Sequence, residues 1–484
     1  MNYETVIGLE VHVQLLTRSK MFCGCGVDYA GAPPNTHVCP VCLGMPGVLP
    51  TINRQAVEYT VMTALALGCT VARDTKFDRK NYPYPDLMKG YQISQYDAPI
   101  GSGGRLAIEV DGMTREVGIT RVHLEEDVAK LTHLTGADSQ ACSLVDVNRS
   151  GVPLMEIVGE PDLRSPEEAR QYLMEMRRIL RYLGVSTANM EEGSFRCDAN
   201  ISIRTEDGAK SFPKVEVKNM NSFRAVYRAM TYEAERQRQA VTAGKRLIQE
   251  TRGWVEAKAK TVSQRSKEYA HDYRYFPEPD LPPLTLDETW VDGIRAGLPE
   301  LPEARRQRFM AQYGLPAYDT GLLTATGAMA VVFEEYCREN PAIEAKEISN
   351  WMLGEVSRII NAYGIEVDRF RGKVSPRQLG ELILASHGTI NLATAKTVLE
   401  AMFQTGRNPG DIIKEQGLGQ IGDSAALEAA VAAAIGSNPQ AVADYAAGKV
   451  TALKFLVGQV MKATRGRADP RLVNELLEKK LKER

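Results

Sequence analysis

Residues 6–15 read Val-Ile-Gly-Leu-Glu-Val-His-Val-Gln-Leu, a stretch in which apolar and polar side chains alternate. Because successive side chains of a β-strand point to opposite faces, this pattern predicts a strand with one apolar face and one polar face. Glu10 and His12 share the polar face. Such strands favour an antiparallel sheet over a wholly buried parallel sheet. Related patterns occur at residues 119–127, 154–158, 196–204 and 214–218.

The rest of the chain divides into a β-rich half and a helical half. Residues 1 to about 290 contain strand patterns separated by Gly and Pro, whereas Ala, Leu, Glu and Lys dominate from about residue 300. A capping box that begins at Ser165 predicts a helix, and a second helix is predicted at residues 223–243. The predicted fold class is therefore α+β, with a mainly antiparallel sheet domain followed by all-α domains.

The composition is that of an ordinary globular protein. The 484 residues include 59 Lys and Arg and 61 Asp and Glu, so a uniformly basic surface is excluded, although a local basic patch is not. No signal-peptide pattern opens the chain, and no apolar run reaches the ~20 residues that a spanning helix needs. We therefore expect a cytoplasmic protein without membrane contact, whose eight cysteines are thiols or metal ligands.

The polar faces of the predicted strands carry many charged groups. A solvated sheet face accounts for any one of these strands, but five such strands together indicate a functional site. Carboxylates and imidazoles suit Mg²⁺ or Mn²⁺, and Arg and Lys neutralise a transferring phosphoryl group, so the pattern predicts a site for ATP and a metal ion. The side chains concerned are Glu10, His12, Arg121, His123, Glu125, Glu126, Glu156, Arg196, Asp198, Asn200, Lys214, Glu216 and Lys218.

Two familiar motifs are missing from the sequence. There is no G-x-x-x-x-G-K-[ST] phosphate-binding loop, so any nucleotide site has to be built differently. There is also no Gly- and Ser-rich amidase signature. The chain is therefore not expected to produce ammonia by itself.

Four cysteines, Cys23, Cys25, Cys39 and Cys42, fall within twenty residues as one C-x-C pair and one C-x-x-C pair. Four thiolates form a closed tetrahedral zinc site, which is structural. Free thiols and a redox C-x-x-C are the alternatives, but no βαβ pattern surrounds the second pair. The spacing therefore predicts a structural zinc module at residues 23–42.

Several longer motifs resemble those of a known family. Residues 6–13 form one motif, and residues 190–200, Met-Glu-Glu-Gly-Ser-Phe-Arg-Cys-Asp-Ala-Asn, form another. With these motifs the chain resembles the B subunit of the aspartyl/glutamyl-tRNA amidotransferases, the GatB family, over nearly its whole length. The other motifs lie at residues 77–82, 91–95, 123–127, 144–149, 272–280 and 455–462.

The resemblance implies a three-subunit enzyme. An amidase-type glutaminase, the A-type subunit, would release ammonia, and the small C-type subunit would brace the complex. The B-type subunit would bind misacylated Glu-tRNA(Gln) or Asp-tRNA(Asn) and phosphorylate the side-chain carboxylate with ATP, after which ammonia displaces the phosphate. The resemblance also implies a catalytic cradle similar to glutamine synthetase. Which misacylated tRNA is the natural substrate stays open.

The resemblance also implies roles for individual residues. Residues implied to hold divalent metal ions are Glu10, His12, Glu126, Glu156 and Asp198. Residues implied to contact phosphate or substrate are Lys80, Arg196, Glu216 and Lys218. Strand alternation favours Glu125 beside His123, whereas the resemblance favours Glu126 as the ligand, so Glu125 is kept as a catalytic candidate. The four cysteines match the paired cysteines of those family members that contain zinc.

The predicted domain organisation has three parts. The catalytic cradle spans residues 1–292, a helical domain spans 293–408, and a tail domain that would bind tRNA spans 409–484. Residues 454–484 contain nine Lys or Arg and four acidic residues, which suits a local contact with RNA. The predicted tRNA-binding residues are Lys462, Arg465 and Arg467.

Two other functions are weighed against the amidotransferase subunit. A tRNA-binding scaffold with a zinc module and no catalysis would not need carboxylates and histidine on its strands. A free-standing ligase that joins free ammonia to a small carboxylate would need neither the basic tail nor a partner. The chain combines carboxylates and histidine on its strands with a basic tail, and this combination favours the amidotransferase subunit.

Overall fold

The structure is a computed structural model, and it describes residues 2–135, 141–266, 272–418, 424–446, 449–464, 468 and 470–482. The chain divides into two compact units, Met1–Leu301 and Pro302–Arg484. The first unit contains the strands and the second is helical. The predicted α+β fold class is thereby confirmed.

The first unit combines strands of very different lengths with a few helices. Its helices are α1 (Arg54–Ala66), α2 (Pro166–Tyr182), α3 (Phe223–Thr242) and α4 (Glu288–Ala296), with 3₁₀ turns at Val147–Arg149 and Glu256–Lys258. Its strands are β1 (Tyr3–Gln14), β2 (Thr70–Val71), β3 (Asp74–Thr75), β4 (Asp78–Asn81), β5 (Tyr91–Ser94), β6 (Gly101–Val110), β7 (Met113–Glu126), β8 (Lys130–Thr135), β9 (Ala141–Asp146), β10 (Pro153–Gly159), β11 (Phe195–Thr205), β12 (Val215–Lys218), β13 (Glu250–Val255), β14 (Lys260–Ser266), β15 (Phe276–Pro277) and β16 (Leu284–Thr285).

Most of these strands form one large sheet. Its order is β14-β13-β12-β11-β1-β10-β7-β5-β4-β15, and β6 pairs with both β7 and β2. Neighbouring strands of the described sheet are antiparallel except β12 and β13, which are parallel. The sheet is therefore mixed, although antiparallel pairing dominates as predicted.

Strand β1 lies inside the sheet between β10 and β11, and it separates two chemically different faces. Ile7, Leu9 and Val11 on one face are buried in a hydrophobic cluster that also includes residues of α2 and α3. On the other face, Glu10 lies opposite Asp198 of β11. His12 lies opposite Glu156 of β10 and Arg196 of β11. The register therefore places the predicted functional residues of three strands side by side.

Helix α2 begins where the sequence predicts but forms only one half of the predicted capping box, because the Glu168 carboxylate accepts from the Arg164 backbone N–H and not from that of Ser165. The Ser165 hydroxyl accepts a hydrogen bond from the Glu168 backbone N–H at 3.1 Å, and Pro166 occupies the first turn. This cap satisfies one of the backbone donors that a helix start leaves unpaired. Tyr172, Leu173 and Met176 are fully buried, so this helix covers the apolar face of the sheet and leaves the polar face open.

The second unit contains two hydrophobic clusters. A larger one includes residues from Phe309 to Ile413, and a smaller one includes residues from Leu427 to Leu477. Its helices are α5 (Pro302–Tyr313), α6 (Ala317–Leu323), α7 (Gly327–Glu339), α8 (Ala345–Trp351), α9 (Ser357–Tyr363), α10 (Val367–Arg371), α11 (Pro376–Ala385), α12 (Leu392–Thr405), α13 (Pro409–Glu415), α14 (Ser424–Ser437), α15 (Pro439–Ala446), α16 (Val450–Ala463) and α17 (Pro470–Lys482), with a π-helical segment at Met352–Val356.

The division between these clusters falls later than the predicted boundary at residue 408. Ile412 and Ile413 of α13 are buried in the larger cluster, because α13 packs against α11 and α12. The sequence break at residues 405–410 is only the short connection between α12 and α13. Among the described helices, none is both long and apolar enough to cross a membrane.

Candidate active site

A cavity of about 650 Å³ opens on the polar face of the sheet. Its walls come from strands β1, β4, β5, β7, β10, β11 and β12, several of which are far apart in sequence. The predicted residues that line it are His12, Lys80, Glu125, Arg196, Asp198 and Lys218. Glu10, Glu156 and Glu216 occupy alternate positions on the same face of their strands. The sheet therefore gathers most of the predicted residues at one site.

The centre of this site is a group of one histidine and two carboxylates. His12 Nε2 lies 3.8 Å from Glu156 Oε2 and 4.0 Å from Glu125 Oε1. One ligand atom from each of these three residues falls within 4.8 Å of the other two. His123 Nε2 approaches Glu156 Oε2 at 3.2 Å, and the Ser94 hydroxyl donates to Glu125 at 3.2 Å. These contacts hold both carboxylates in fixed orientations.

The charges around this group explain the direction of its pKa shifts. Burial alone would raise the pKa of Glu156, but His123, His12 and Lys80 hold it well below its usual range. Burial also disfavours the charged form of Lys80, yet Glu125 and other anionic neighbours raise its pKa. A buried carboxylate and a buried ammonium group are thus both kept ionised.

The pKa of Glu10 moves in the opposite direction. Burial is the main cause of its raised pKa, and the nearby carboxylates of Glu156 and Asp198 add to it. Its Oε1 accepts a hydrogen bond from Asn200 Nδ2 at 2.9 Å. Several carboxylates therefore lie close together with incomplete compensation by cations, an arrangement that a bound metal ion relieves.

The donor set of this site fits a hard divalent cation. Mg²⁺ and Mn²⁺ favour carboxylate oxygen and accept imidazole nitrogen, and Mg²⁺ is usually bound through one or two carboxylates together with substrate phosphates. His12, Glu125 and Glu156 converge in a way that meets this requirement. Glu10 and Asp198 face each other across β1 and β11 beside this group. These five residues could hold metal ions at the floor of the cavity.

The cationic side of the cavity is built from two separate pairs. Arg196 Nη2 contacts the buried carboxylate of Asp127 at 2.7 Å, and Gln14 donates to the same oxygen at 2.7 Å. Lys218 contacts Asp198 and lies 3.2 Å from Glu216. Glu216 therefore orients Lys218 from beside the cavity.

The four predicted zinc ligands come together in a separate cluster of the first unit. Sulfur atoms of Cys23, Cys25, Cys39 and Cys42 all lie within 4.8 Å of one another, and those of Cys39 and Cys42 are 3.9 Å apart. A tetrahedral zinc ion with Zn–S bonds of about 2.3 Å requires sulfur–sulfur distances of roughly 3.8 Å. The hydrogen bond from Cys23, helped by Lys20, lowers the pKa of the Cys42 thiol, which favours the thiolate form that binds metals. The cluster could therefore bind a metal ion, which is consistent with zinc.

The chain matches two family descriptions along its length. Residues 5–292 match the description "GatB/GatE catalytic domain", and residues 331–481 match "GatB domain". The chain is 60% identical to the aspartyl/glutamyl-tRNA(Asn/Gln) amidotransferase B subunit of Dehalococcoides mccartyi (strain CBDB1), with 99% of each chain covered. The chain belongs to the GatB family. Proteins of the same name from Thermomicrobium roseum and Carboxydothermus hydrogenoformans are 58% and 54% identical, and at least 99% of each chain is covered.

One predicted metal ligand of this GatB-family chain lies on the wrong side of the sheet. Glu126 Oε1 lies 2.6 Å from Lys89 Nζ and accepts the Ile93 backbone N–H at 3.0 Å. Because Glu125 and Glu126 are adjacent in β7, their side chains point to opposite faces. The geometry therefore favours Glu125 over Glu126 as a ligand, in agreement with strand alternation, and the choice between them stays a prediction.

Two residues of this GatB-family site, His123 and Asp127, have no separate role in the predictions made from the sequence. His123 shares a face with Glu125, so the alternation already noted for β7 was enough to place it beside the carboxylates. Asp127 follows the last residue of β7, where alternation no longer applies. Its importance comes from the distant Arg196 and Gln14, a contact that no local pattern reveals.

The predicted tRNA-binding residues of the tail are only partly described. Lys462 lies on α16 and is exposed to solvent. Arg465 and Arg467 fall outside the described residues. The role of these three side chains therefore stays a prediction.

Proposed function

We propose that this chain is the ATP-using subunit of a tRNA-dependent amidotransferase. It converts Glu-tRNA(Gln), Asp-tRNA(Asn) or both to the corresponding amides. Its class is that of carbon–nitrogen ligases with glutamine as the amide donor. The A-type glutaminase subunit supplies ammonia, and the small C-type subunit completes the complex. The names of the relatives, which specify the B subunit of such an amidotransferase, support this assignment.

One observation carries the proposal for the chemistry. His12, Glu125 and Glu156 converge within a cavity that also presents Lys80 and Arg196. A cluster of anionic metal-ligand groups beside two cations is what phosphoryl transfer from ATP requires, because the transferring group carries negative charge on its oxygen atoms. A scaffold that only binds tRNA has no use for these buried charges, so the observation argues against that alternative.

The first chemical step activates the side-chain carboxylate of the aminoacyl group. A carboxylate oxygen forms a bond to the γ-phosphorus of ATP while the bond from that phosphorus to the bridging oxygen breaks, and ADP departs. Bound metal ions would supply positive charge to the phosphate oxygens. Lys80 and Arg196 stabilise the same charge from the walls, and the pairing of Arg196 with Asp127 fixes its direction.

The second step consumes the acyl phosphate. Ammonia attacks the acyl carbon, the carbon–oxygen bond to phosphate breaks, and the nitrogen releases a proton as the amide forms. Phosphate leaves with the oxygen atom that originally belonged to the carboxylate. The cysteine cluster takes no part in either step, because a site with four thiolate ligands has no open position for a substrate. Its zinc ion would hold the loop of residues 23–42 in place.

An isotope experiment on the assembled three-subunit complex tests this proposal. Misacylated Glu-tRNA(Gln) and Asp-tRNA(Asn), each labelled with ¹⁸O in the side-chain carboxylate, are incubated with ATP and glutamine. The expected result is amide formation with one ¹⁸O atom in each phosphate released. Amide formation without label in phosphate would overturn the activation step, and a complex that binds tRNA but neither consumes ATP nor forms amide would favour the scaffold.

Matched variants connect the reaction to the cavity. Glu156→Gln and His12→Ala are expected to abolish labelled phosphate while tRNA binding persists. Glu4→Gln is the control, because Glu4 lies on the same strand as His12 but pairs with Arg204 and Arg164 away from the cavity. Equal loss of activity in the control would mean that the strand, and not the cavity, is responsible.

A further inference from the structure

Four tyrosines form a cluster that the proposed chemistry does not use. Tyr96 and Tyr275 are stacked, with ring centroids 4.2 Å apart and planes within 9° of parallel. Tyr273 meets Tyr275 edge-on at 6.0 Å and Tyr82 edge-on at 5.7 Å. Tyr96 remains 52% exposed, so the stack ends at solvent and is not a closed part of the hydrophobic core.

The cluster adjoins the cavity through Lys80. The Lys80 ammonium lies 5.1 Å from the Tyr273 ring centroid and 5.8 Å from that of Tyr82. Tyr82 itself lines the cavity. Burial raises the pKa of Tyr275 to about 12, and the charges of Lys80, Glu125 and Glu156 also act on it. A molecule that extends from the stack to Lys80 therefore enters the cavity that Glu125 also lines.

The backbone that carries two of these rings is held in a strained conformation. Arg274, between Tyr273 and Tyr275, has a φ of 44°, which is costly for a residue with a side chain. Asn81 of β4 maintains it: its backbone N–H donates to the Tyr273 carbonyl at 2.9 Å, and its side-chain amide donates to the Arg274 carbonyl at 2.9 Å. Such strain persists only where neighbouring contacts enforce it, and it often marks a functional site.

We propose that the Tyr96–Tyr275 stack is a platform for an adenine base whose nucleotide reaches into the cavity. Tyr96 is the half-exposed member of the parallel pair and offers a further π-face, and stacking on aromatic side chains is a general way of binding bases. This inference rests on the proposed function, which brings two adenine-bearing molecules to the cavity. These are ATP and the 3′-terminal nucleotide of the aminoacyl-tRNA. The stack identifies the ligand as a base, and the experiment below determines whether that base belongs to ATP or to the 3′-terminal nucleotide of the tRNA.

The test uses the complete complex with Tyr96→Leu and Tyr275→Leu, which remove a ring but keep apolar volume, and with Tyr96→Phe, which keeps the ring. Tyr227→Leu is the control, because Tyr227 is an exposed tyrosine on α3, a helix packed on the apolar face of the sheet. Turnover number and KM are measured separately for ATP and for misacyl-tRNA, each with the other substrate at saturation.

The leucine variants are expected to raise one KM by roughly 5- to 100-fold, since stacking of one base on an aromatic ring has about that effect. The turnover number should change little, because the stack binds ground and transition states alike. Tyr96→Phe and Tyr227→Leu should match the wild type. A raised KM for ATP assigns the base to ATP, and a raised KM for misacyl-tRNA assigns it to the tRNA.

Three outcomes would overturn the platform. Both KM values could stay unchanged in the leucine variants, or Tyr96→Phe could lose as much affinity as Tyr96→Leu. Alternatively, a leucine variant could fail to co-purify with the partner subunits, which would make the stack a protein contact. None of these outcomes touches the proposed reaction, which is judged separately by transfer of ¹⁸O to phosphate in the wild-type complex.

Discussion

Asp127 holds Arg196 at the edge of the cavity through a 2.7 Å contact between Oδ2 and Nη2, in which the carboxylate side chain is 1% exposed and the guanidinium side chain 36% exposed. Arg149 approaches the other carboxylate oxygen at 3.6 Å, and Gln14 completes the set of partners. Burial would raise the pKa of Asp127, but the arginines and Gln14 lower it. The anionic form of Asp127 is therefore the anchor of the cationic wall.

Replacing this anchor should destabilise the first unit. Asp127→Asn leaves Arg196 and Arg149 without their counter-charge, but both arginine side chains are partly exposed and water offsets part of the loss, so the cost should be about 1.5–3 kcal/mol. The thermal unfolding midpoint of the first unit should fall on the order of 3–6 °C, as measured by calorimetry. In the control Glu4→Gln, a more exposed pair is lost, so the change should stay within about 1 kcal/mol. Equal midpoints for the two variants would contradict the role given to Asp127.

A second prediction separates the adjacent acidic residues of β7. Glu125→Gln should reduce turnover by at least ~100-fold without loss of folding, because it removes a carboxylate that would hold the metal ion whose positive charge stabilises the transferring phosphoryl group. Glu126→Gln should keep turnover within about threefold but lower the unfolding temperature, because Lys89 loses a buried partner. Turnover is measured with saturating ammonium as the nitrogen source, so that glutamine hydrolysis does not enter. An inactive, fully folded Glu126→Gln would restore Glu126 as the ligand.

The sequence was informative wherever a residue lies inside a long strand. Period-two alternation places Glu10 and His12 on the polar face of β1 and Asp198 on the polar face of β11, and the pairing of the two strands brings these faces together. Alternation also indicates Glu125, whose side chain lies beside His12 and Glu156, whereas Glu126 is favoured by the resemblance alone.

Long-range relationships were beyond the sequence. The parallel pairing of β12 with β13 depends on the return of the chain through α3, which no local pattern specifies. Tyr96 and Tyr275 are brought together by the sheet from distant parts of the chain. A domain boundary is hard to place for a similar reason, because the break at residues 405–410 separates two helices of one packed cluster, and in sequence such a break looks the same as a break between two clusters.

The cysteine cluster predicts a measurable metal content. Purified protein should contain about one zinc ion per chain, and it should retain the ion without ATP. Cys39→Ser should lose the zinc and lower the unfolding midpoint on the order of 5–10 °C, because metal binding and loop folding are coupled. Cys142→Ser, which changes an exposed thiol on β9, should do neither. Zinc-free protein of full thermal stability would rule out the structural role.

The tail prediction can now be tested with a boundary taken from the packing. Truncation after residue 418 keeps α13 in its cluster and should raise KM for misacyl-tRNA with little change in turnover at saturation. Replacing Lys462, Arg465 and Arg467 together by Ala should reduce the salt dependence of tRNA affinity by a slope of roughly 2–3, since each phosphate contact releases counterions. Lys373→Ala, an exposed lysine outside the tail, is the control.

An unchanged salt slope in the triple variant would show that this cluster does not contact tRNA phosphates. In that case the positive charge of residues 454–484 would serve only to keep the last helices soluble. The truncated protein then tests independently whether the tail binds tRNA, because it lacks every charge beyond residue 418.

The position of β1 between β10 and β11 has a consequence for how this half of the chain can change in length. Both neighbours fix its register, so inserting or deleting one residue between Leu9 and Glu10 would reverse the facing of one part of the strand. Either Glu10 and His12 would turn toward α2 and α3, or Ile7 and Leu9 would turn to the polar face. Both outcomes would disrupt core packing, and the first would also remove catalysis. Insertions and deletions that leave a working protein are therefore expected in the connections between strands, while the spacing from Ile7 to Val13 stays constant.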